Sequence, residues 1–276
     1  KDYTLPKDNT FELLKNTENE ILERAGASIS LPASYDGRQY QTAVKNQYGN
    51  TCWAYANIAA VEASIIKNGL ANNSLDLSEL HHVYFYNNRI TDPLGGISND
   101  YVQCFNTDFP YYINIGAANN SASSRLLNRV GPVAESLAPF TSTEQGYVSS
   151  DLAFGHNVAD VVGTRLCLFA PEEATNIKEL IYTYGAVTGA YYSVETSRYY
   201  KNVGSTMSYY YPNDINETNH AITIVGWDDN YSASNFAQTP PGNGAWLCKN
   251  SWGTKNFLNS QGNTVDGYFW LSYYDT

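Results

Sequence analysis

The chain has 276 residues, 43% of them hydrophobic, enough for one large domain with a sizeable core. Its formal net charge of −11 argues against nucleic acid or an anionic lipid surface as the main partner, because both call for clustered Lys and Arg. Four cysteines without CxxC pairing or zinc-ligand spacing speak against a disulfide-stapled small fold and against a structural zinc site.

Residues 1–30 are polar, with one amphipathic stretch from Phe11 to Ala25 in which Glu12, Glu18, Glu20 and Glu23 interleave with Leu13, Leu14, Ile21 and Leu22. They read as an N-terminal extension or pro-segment remnant, expected to pack on the body rather than across a cleft. Residues 31–276 form the main domain. Leu31-Pro32 opens it, and Tyr35-Asp36-Gly37-Arg38 reads as a turn.

From Cys52 to Asn68 the apolar spacing predicts a helix, with Gly69 as its stop. A second helix is expected from about Ser78, a third over Ser121–Arg129 ahead of Gly131-Pro132, and a fourth over Ala174–Tyr184, stopped by Gly185. The period then changes. Ala186–Tyr191, Ala221–Trp227, Gly244–Lys249 and Gly267–Tyr273 read as strands separated by Gly, Asn, Asp and Pro. Helices first and antiparallel strands after give an α+β layout with two lobes.

Three segments carry chemistry. Cys52 stands at the start of the strongest helical pattern, where partial positive charge and unpaired amides stabilise a thiolate. His220 opens an apolar strand. Of the other three histidines, His81 and His82 sit among aromatics on the second helix and read as structural, and His156 lies in a Gly-His-Asn loop. Asn250 ends a strand, where its amide can accept a hydrogen bond from an imidazole and fix the tautomer, and Trp252 beside it can shield that bond. A thiol, a base and an orienting amide are what a cysteine nucleophile needs. Cys167 and Cys248, in apolar runs, read as small buried hydrophobes; Cys104, in a polar stretch, is free or paired. The 24 tyrosines, against a single Met, read as core aromatics with satisfied hydroxyls, a glycan-binding surface being the alternative.

In Val44-Lys45-Asn46-Gln47, Cys52-Trp53-Ala54, Leu77-Ser78-Glu79, Asn219-His220-Ala221, Gly226-Trp227-Asp228 and Lys249-Asn250-Ser251-Trp252-Gly253, the chain resembles the papain-like cysteine peptidases over about Leu31 to Tyr274. The resemblance implies a helical left lobe and an antiparallel β-rich right lobe with a cleft between them. It implies Cys52 as nucleophile, His220 as general base and acid, and Asn250 as the group that orients His220. Gln47 and the Cys52 amide would form the oxyanion hole. Substrate would lie against Gly116-Ala117, or against the rival pair Gly95-Gly96, and beside Trp252.

Departures are visible. Gly49 stands where the family usually has a second Cys, and the interval from Gln47 to Cys52 is one residue shorter than usual. Extra sequence lies around 85–115 and at Asn230–Asn243. With Arg129–Glu135 and the ending Gly267–Tyr274, these features resemble a bacterial subset that is often exported or attached to the cell wall.

The expected activity is that of an endopeptidase acting through a thioester, on polypeptide substrates. The alternatives are an exopeptidase, an acyl-transfer enzyme on the same triad, or a non-catalytic adhesion or glycan-binding protein on a peptidase scaffold. No metal or cofactor is implied. A monomer is expected, with a pro-segment or protein inhibitor as a further partner. No apolar run approaches the roughly 20 residues of a membrane-spanning helix, and no signal peptide is visible. The chain begins at Lys1, as a processed form would. A secreted or cell-surface home is therefore expected, with the export signal and any anchoring domain outside this sequence.

Overall fold

A computed structural model describes residues 30–88, 111–141, 147–165, 167, 173–213, 217–254, 258 and 264–275. The expectations for the stretch Phe11–Ala25, for Cys104, for Gly95-Gly96 and for most of the 85–115 insertion lie outside the described residues. By contacts the chain divides into Lys1–Pro32 and Ala33–Thr276, and everything below concerns the second unit.

The first helix, α1 (Cys52–Lys67), follows the expected span, and Gly69 takes a positive φ of 72° just beyond it. It is buried on most of its circumference, through Trp53, Ala54, Tyr55, Ile58, Ala63 and Ile66 among others. Small residues alternate with large ones along it, so other elements can pack close on several sides. The next helix, α2 (Glu79–Asn87), is capped as its Leu77-Ser78-Glu79 start suggests: Ser78 Oγ accepts from the His81 amide at 3.0 Å and donates to the Ala138 carbonyl at 2.5 Å. The third, α3 (Asn119–Leu127), begins two residues earlier than predicted and also ends two residues earlier, the end because Arg129 adopts a left-handed φ of 61° and cannot continue the helix. The fourth, α4 (Ala174–Tyr184), has the predicted bounds and stops at Gly185, φ 99°. A side chain at Gly185 would meet the Ala63 carbonyl oxygen at 2.8 Å, so glycine there lets the turn lie directly on α1.

The strands are β1 (Ser34–Asp36), β2 (Val187–Tyr191), β3 (Tyr200–Val203), β4 (Thr206–Tyr209), β5 (His220–Asp228), β6 (Ala245–Lys249) and β7 (Tyr268–Ser272). They form one sheet in the order β1-β5-β6-β7-β4-β3, with β2 also paired to β5. Every pairing is antiparallel except β4 with β7, which is parallel. The predicted turn at Tyr35–Arg38 is corrected in its first half. Ser34 to Asp36 pair with Asp228 to Gly226, and the chain bends only after Gly37, whose amide donates to Val225 O at 3.1 Å. The pattern in the sequence does not single out β3 and β4, although Gly204, φ 66°, makes the hairpin turn between them.

Two kinds of core result. In the helical lobe Trp53, Leu80, Val83, Phe85, Tyr112 and Val133 belong to one buried cluster. In the sheet lobe some of the 24 tyrosines are core aromatics: Tyr191, Tyr200 and Tyr209 are buried around Phe269. Their hydroxyls find partners, Tyr191 with Tyr200, and Tyr209 with the Tyr192 carbonyl at 2.6 Å. Cys248 is fully buried in β6 as expected; Cys167 is only half-buried. His81 and His82 are both buried, His81 on the Leu152 carbonyl at 2.7 Å and His82 beside Asn57 at 3.3 Å, in keeping with structural roles.

Packing of α1 sets the stability of the helical lobe. Ile58 is fully buried, whereas Leu70, three residues past the helix end, is 77% exposed. Ile58→Ala is expected to lower unfolding free energy by about 3 kcal/mol, and Leu70→Ala by less than about 0.5 kcal/mol, as read from denaturant midpoints.

Candidate active site

Cys52 is the first residue of α1, and the side chain of the preceding Thr51 takes none of the first-turn amides. Its hydroxyl donates to Tyr48 O at 2.5 Å instead of capping the helix. The amides of Cys52 and Trp53 therefore favour a thiolate at the sulfur, as does the amide of Ala221 from the sheet lobe. The Ala221 amide belongs to the residue next to His220, so the start of β5 lies against the N-terminus of α1. This is a contact that no local sequence pattern announces.

His220 is 6% exposed. Its Nε2 lies 2.8 Å from Asn250 Oδ1, and its ring is stacked on Trp252, with centroids 4.4 Å apart and planes at 26°. Tyr191, its cross-strand partner in β2, closes another side edge-on at 5.8 Å. Asn250 Oδ1 also accepts from the Ser251 amide at 2.8 Å, which orients the carbonyl toward the ring. Burial pushes the Cys52 thiol up and the His220 imidazole down to about 4, and the Asn250 carbonyl pulls the imidazole partly back. Each group alone thus favours its neutral form.

Gln47 joins this group through an isolated bridge. Asn46 pairs with Trp252, the Gln47 amide donates to Ser251 O at 2.7 Å, and Gly253 N donates to Lys45 O at 2.9 Å. Ser251 Oγ donates to Gln47 Oε1 at 2.7 Å, and Gln47 Nε2 gives one proton to Gly49 O at 2.9 Å, with a second proton still to place. The short interval to Cys52 is spanned because Gly49 has φ 61°; a side chain there would meet Ile113 O at 2.5 Å. Asn50 braces the same turn, through its amide to Ile113 O and its Nδ2 to Asn114 O, both at 2.9 Å.

The structure thus brings Cys52, His220, Asn250, Gln47 and Trp252 together. Gly116 and Ala117 lie just ahead of α3 in the helical lobe, Gly116 exposed and open on its Cα face. Two residues later Asn119 Nδ2 donates to Gly189 O of β2 at 3.2 Å, a tie between the lobes. His156 sits exposed in a loop with φ 66° and shares no hydrogen bond or ring contact with the triad. Sequence reasoning missed the Ala221 amide and the Ser251 hydroxyl. Both stand within the motif segments, yet their roles depend on how distant segments meet. Among the described residues, no group of His, Cys, Asp and Glu is arranged to hold a metal ion, and no helix is long and apolar enough to cross a membrane.

Comparison with known proteins agrees with this geometry. Residues 31–273 match the family model described as papain family cysteine protease. A solved structure of the cysteine protease and lectin-like domains of a surface layer associated protein from Clostridium difficile is 29% identical, with a TM-score of 0.62, covering 90% of this chain and 49% of that one. A digestive procathepsin L2 proteinase from Tenebrio molitor larval midgut is 22% identical at a TM-score of 0.58, covering 89% and 64%. Bromelain protease from Ananas comosus, in complex with an inhibitor, is 21% identical at 0.56, covering 88% and 90%. The last two show the fold alone. No curated protein matches by sequence. The chain spans about half the length of the clostridial structures it matches. A two-lobed α+β fold with the family's motif segments gathered at the meeting of the lobes, and a family match over nearly its whole length, together mean that the chain belongs to the papain family of cysteine proteases.

Proposed function

We propose that the protein is a cysteine endopeptidase that cleaves peptide bonds through Cys52, His220 and Asn250. The observation that carries this reading is the buried Asn250–His220 bond, shielded by the stacked Trp252, with the amide of the next residue, Ala221, facing the thiol at the N-terminus of α1.

In this reading His220 takes the thiol proton through Nδ1, since Nε2 is engaged by Asn250. The thiolate attacks the substrate carbonyl carbon. Negative charge develops on the carbonyl oxygen, which accepts hydrogen bonds from the second Gln47 Nε2 proton and the Cys52 amide. The imidazolium of His220 then protonates the leaving amine as the C–N bond breaks, leaving a thioester on Cys52. Water, deprotonated by His220, attacks the thioester, and the acid product leaves as the thiol is restored. Asn250 accepts from Nε2–H throughout and so keeps the imidazole in one tautomer. Extended substrate would lie along Gly116-Ala117, whose backbone supplies main-chain hydrogen bonds.

A secreted or cell-surface location is proposed on the 29% identity to a surface layer associated protein. Residues 1–30 are proposed as an extension or pro-segment remnant. The support for this is a clostridial cysteine protease, 29% identical, solved after propeptide cleavage.

Treatment with an epoxide that alkylates activated thiolates is expected to give one adduct, on Cys52, visible by mass spectrometry and absent from Cys52→Ala. No adduct on folded protein would overturn the reading. Asn250→Ala is expected to lower kcat/KM by on the order of 10²-fold, and His220→Ala by more than about 10³-fold. Internal cleavage of an extended peptide supports the endopeptidase assignment; release of only terminal fragments would make the enzyme an exopeptidase.

A further inference from the structure

Behind Asn250, where β6 leaves the sheet, a charged side chain is buried between the lobes. Lys249 is 5% exposed. Its Nζ donates to Thr42 Oγ1 at 3.0 Å, and Thr42 Oγ1 donates in turn to Glu62 Oε2 at 2.5 Å. Glu62 lies on α1, ten residues after Cys52, and is itself 1% exposed. Its other oxygen accepts from the Leu77 amide at 2.9 Å and stands 3.6 Å from Lys45 Nζ. Lys45 is bonded to Glu79 at 2.7 Å and paired with Asp76. A cavity of about 20 Å³, lined by Glu62, Glu79, Thr223, Lys249 and Asn250 among others, adjoins this cluster and has the volume of a single-water site.

The arrangement has a directional logic. No carboxylate lies within ion-pair distance of Lys249 among the described residues, so its buried ammonium is held through the Thr42 hydroxyl and the field of Glu62. Burial pushes Lys249 down to about 8 against that field. Lys249 is also the residue next to Asn250 and is paired in the sheet with Thr223 of the His220 strand. Thr42 precedes the Lys45–Gln47 segment that bridges to Trp252. One hydrogen-bond chain therefore joins the segments that carry Cys52, Gln47 and Asn250.

We propose, resting on the peptidase reading above, that Lys249 is a positioning residue of the active site. The chain Lys249–Thr42–Glu62 locks the strand end that bears Asn250 to the helix that bears Cys52, and so sets the alignment of His220 against the thiol. Reacting groups tolerate little misplacement, so loosening this lock acts on turnover more than on substrate binding.

The test uses Thr42→Val, which removes the hydroxyl at nearly constant shape, and Thr42→Ser, which keeps it. Lys249→Arg is a second variant that keeps the charge but changes its reach. Each is assayed below its own unfolding temperature for peptide turnover and for the rate of Cys52 alkylation by the epoxide. Thr42→Val and Lys249→Arg are expected to lower kcat and the alkylation rate by about tenfold or more while KM stays within about twofold. Thr42→Ser is expected to return both to within about twofold of wild type. Lower thermal stability with unchanged kcat and alkylation rate, in whichever of Thr42→Val or Lys249→Arg folds, would overturn the proposal. Failure of the wild type to be alkylated sinks the peptidase reading itself, before any variant is compared.

Discussion

The candidate site depends on one packing event, the seating of α1 against β5. Thr223 Oγ1, buried in β5, donates to the carbonyl of Ala56 in α1 at 3.2 Å, one helical turn after Cys52. A helix carbonyl normally bonds within the helix, so this second bond pins helix and strand in one register. It can form only because α1 carries small residues, Ala56, Ala59 and Ala60, on the face toward the sheet. A bulky residue at Ala56 would lift the helix, take the Ala221 amide away from the sulfur, and leave a reactive thiol with only its own helix terminus to favour ionisation.

The same seating explains why the site is built from groups that individually resist being charged. Placing His220 between Trp252 and Tyr191 excludes water and lowers the affinity of the ring for a proton. An exposed imidazole would be easier to charge but would hold its tautomer only loosely. Enclosure by Trp252, Tyr191 and Asn250 instead fixes the orientation of the ring. Asn250 suits that setting, since a neutral amide orients the ring without adding a further buried charge.

Much of this was legible in the sequence because the residues concerned punctuate elements. Cys52 begins a helix, His220 begins a strand and Asn250 follows one, and Gly69 and Gly185 end helices at the expected places. What escaped was set by tertiary contact. In β4 all four residues are buried, so Thr206–Tyr209 lacks the in-out alternation that marks a half-exposed strand. Ser34–Asp36 has turn-forming residues, yet its backbone is recruited as an edge strand by β5. Arg129 takes a left-handed conformation usual for glycine and ends the third helix two residues early.

Lys249 shows the limit most clearly. In sequence it is one polar residue at the end of an apolar strand, where a solvated lysine is the ordinary expectation. In the fold it is enclosed, because β6 is a central strand flanked by β5 and β7, and its end is covered by the Thr42–Gln47 segment. Burying an ammonium costs several kcal/mol unless it is solvated by the protein. A methionine of similar reach would fill that place without the cost. The retained charge has to be matched by Thr42 and Glu62, and matching confines the strand end to the geometry in which those bonds are good. Electrostatic cost at Lys249 is thus converted into positional definition at Asn250, one residue away.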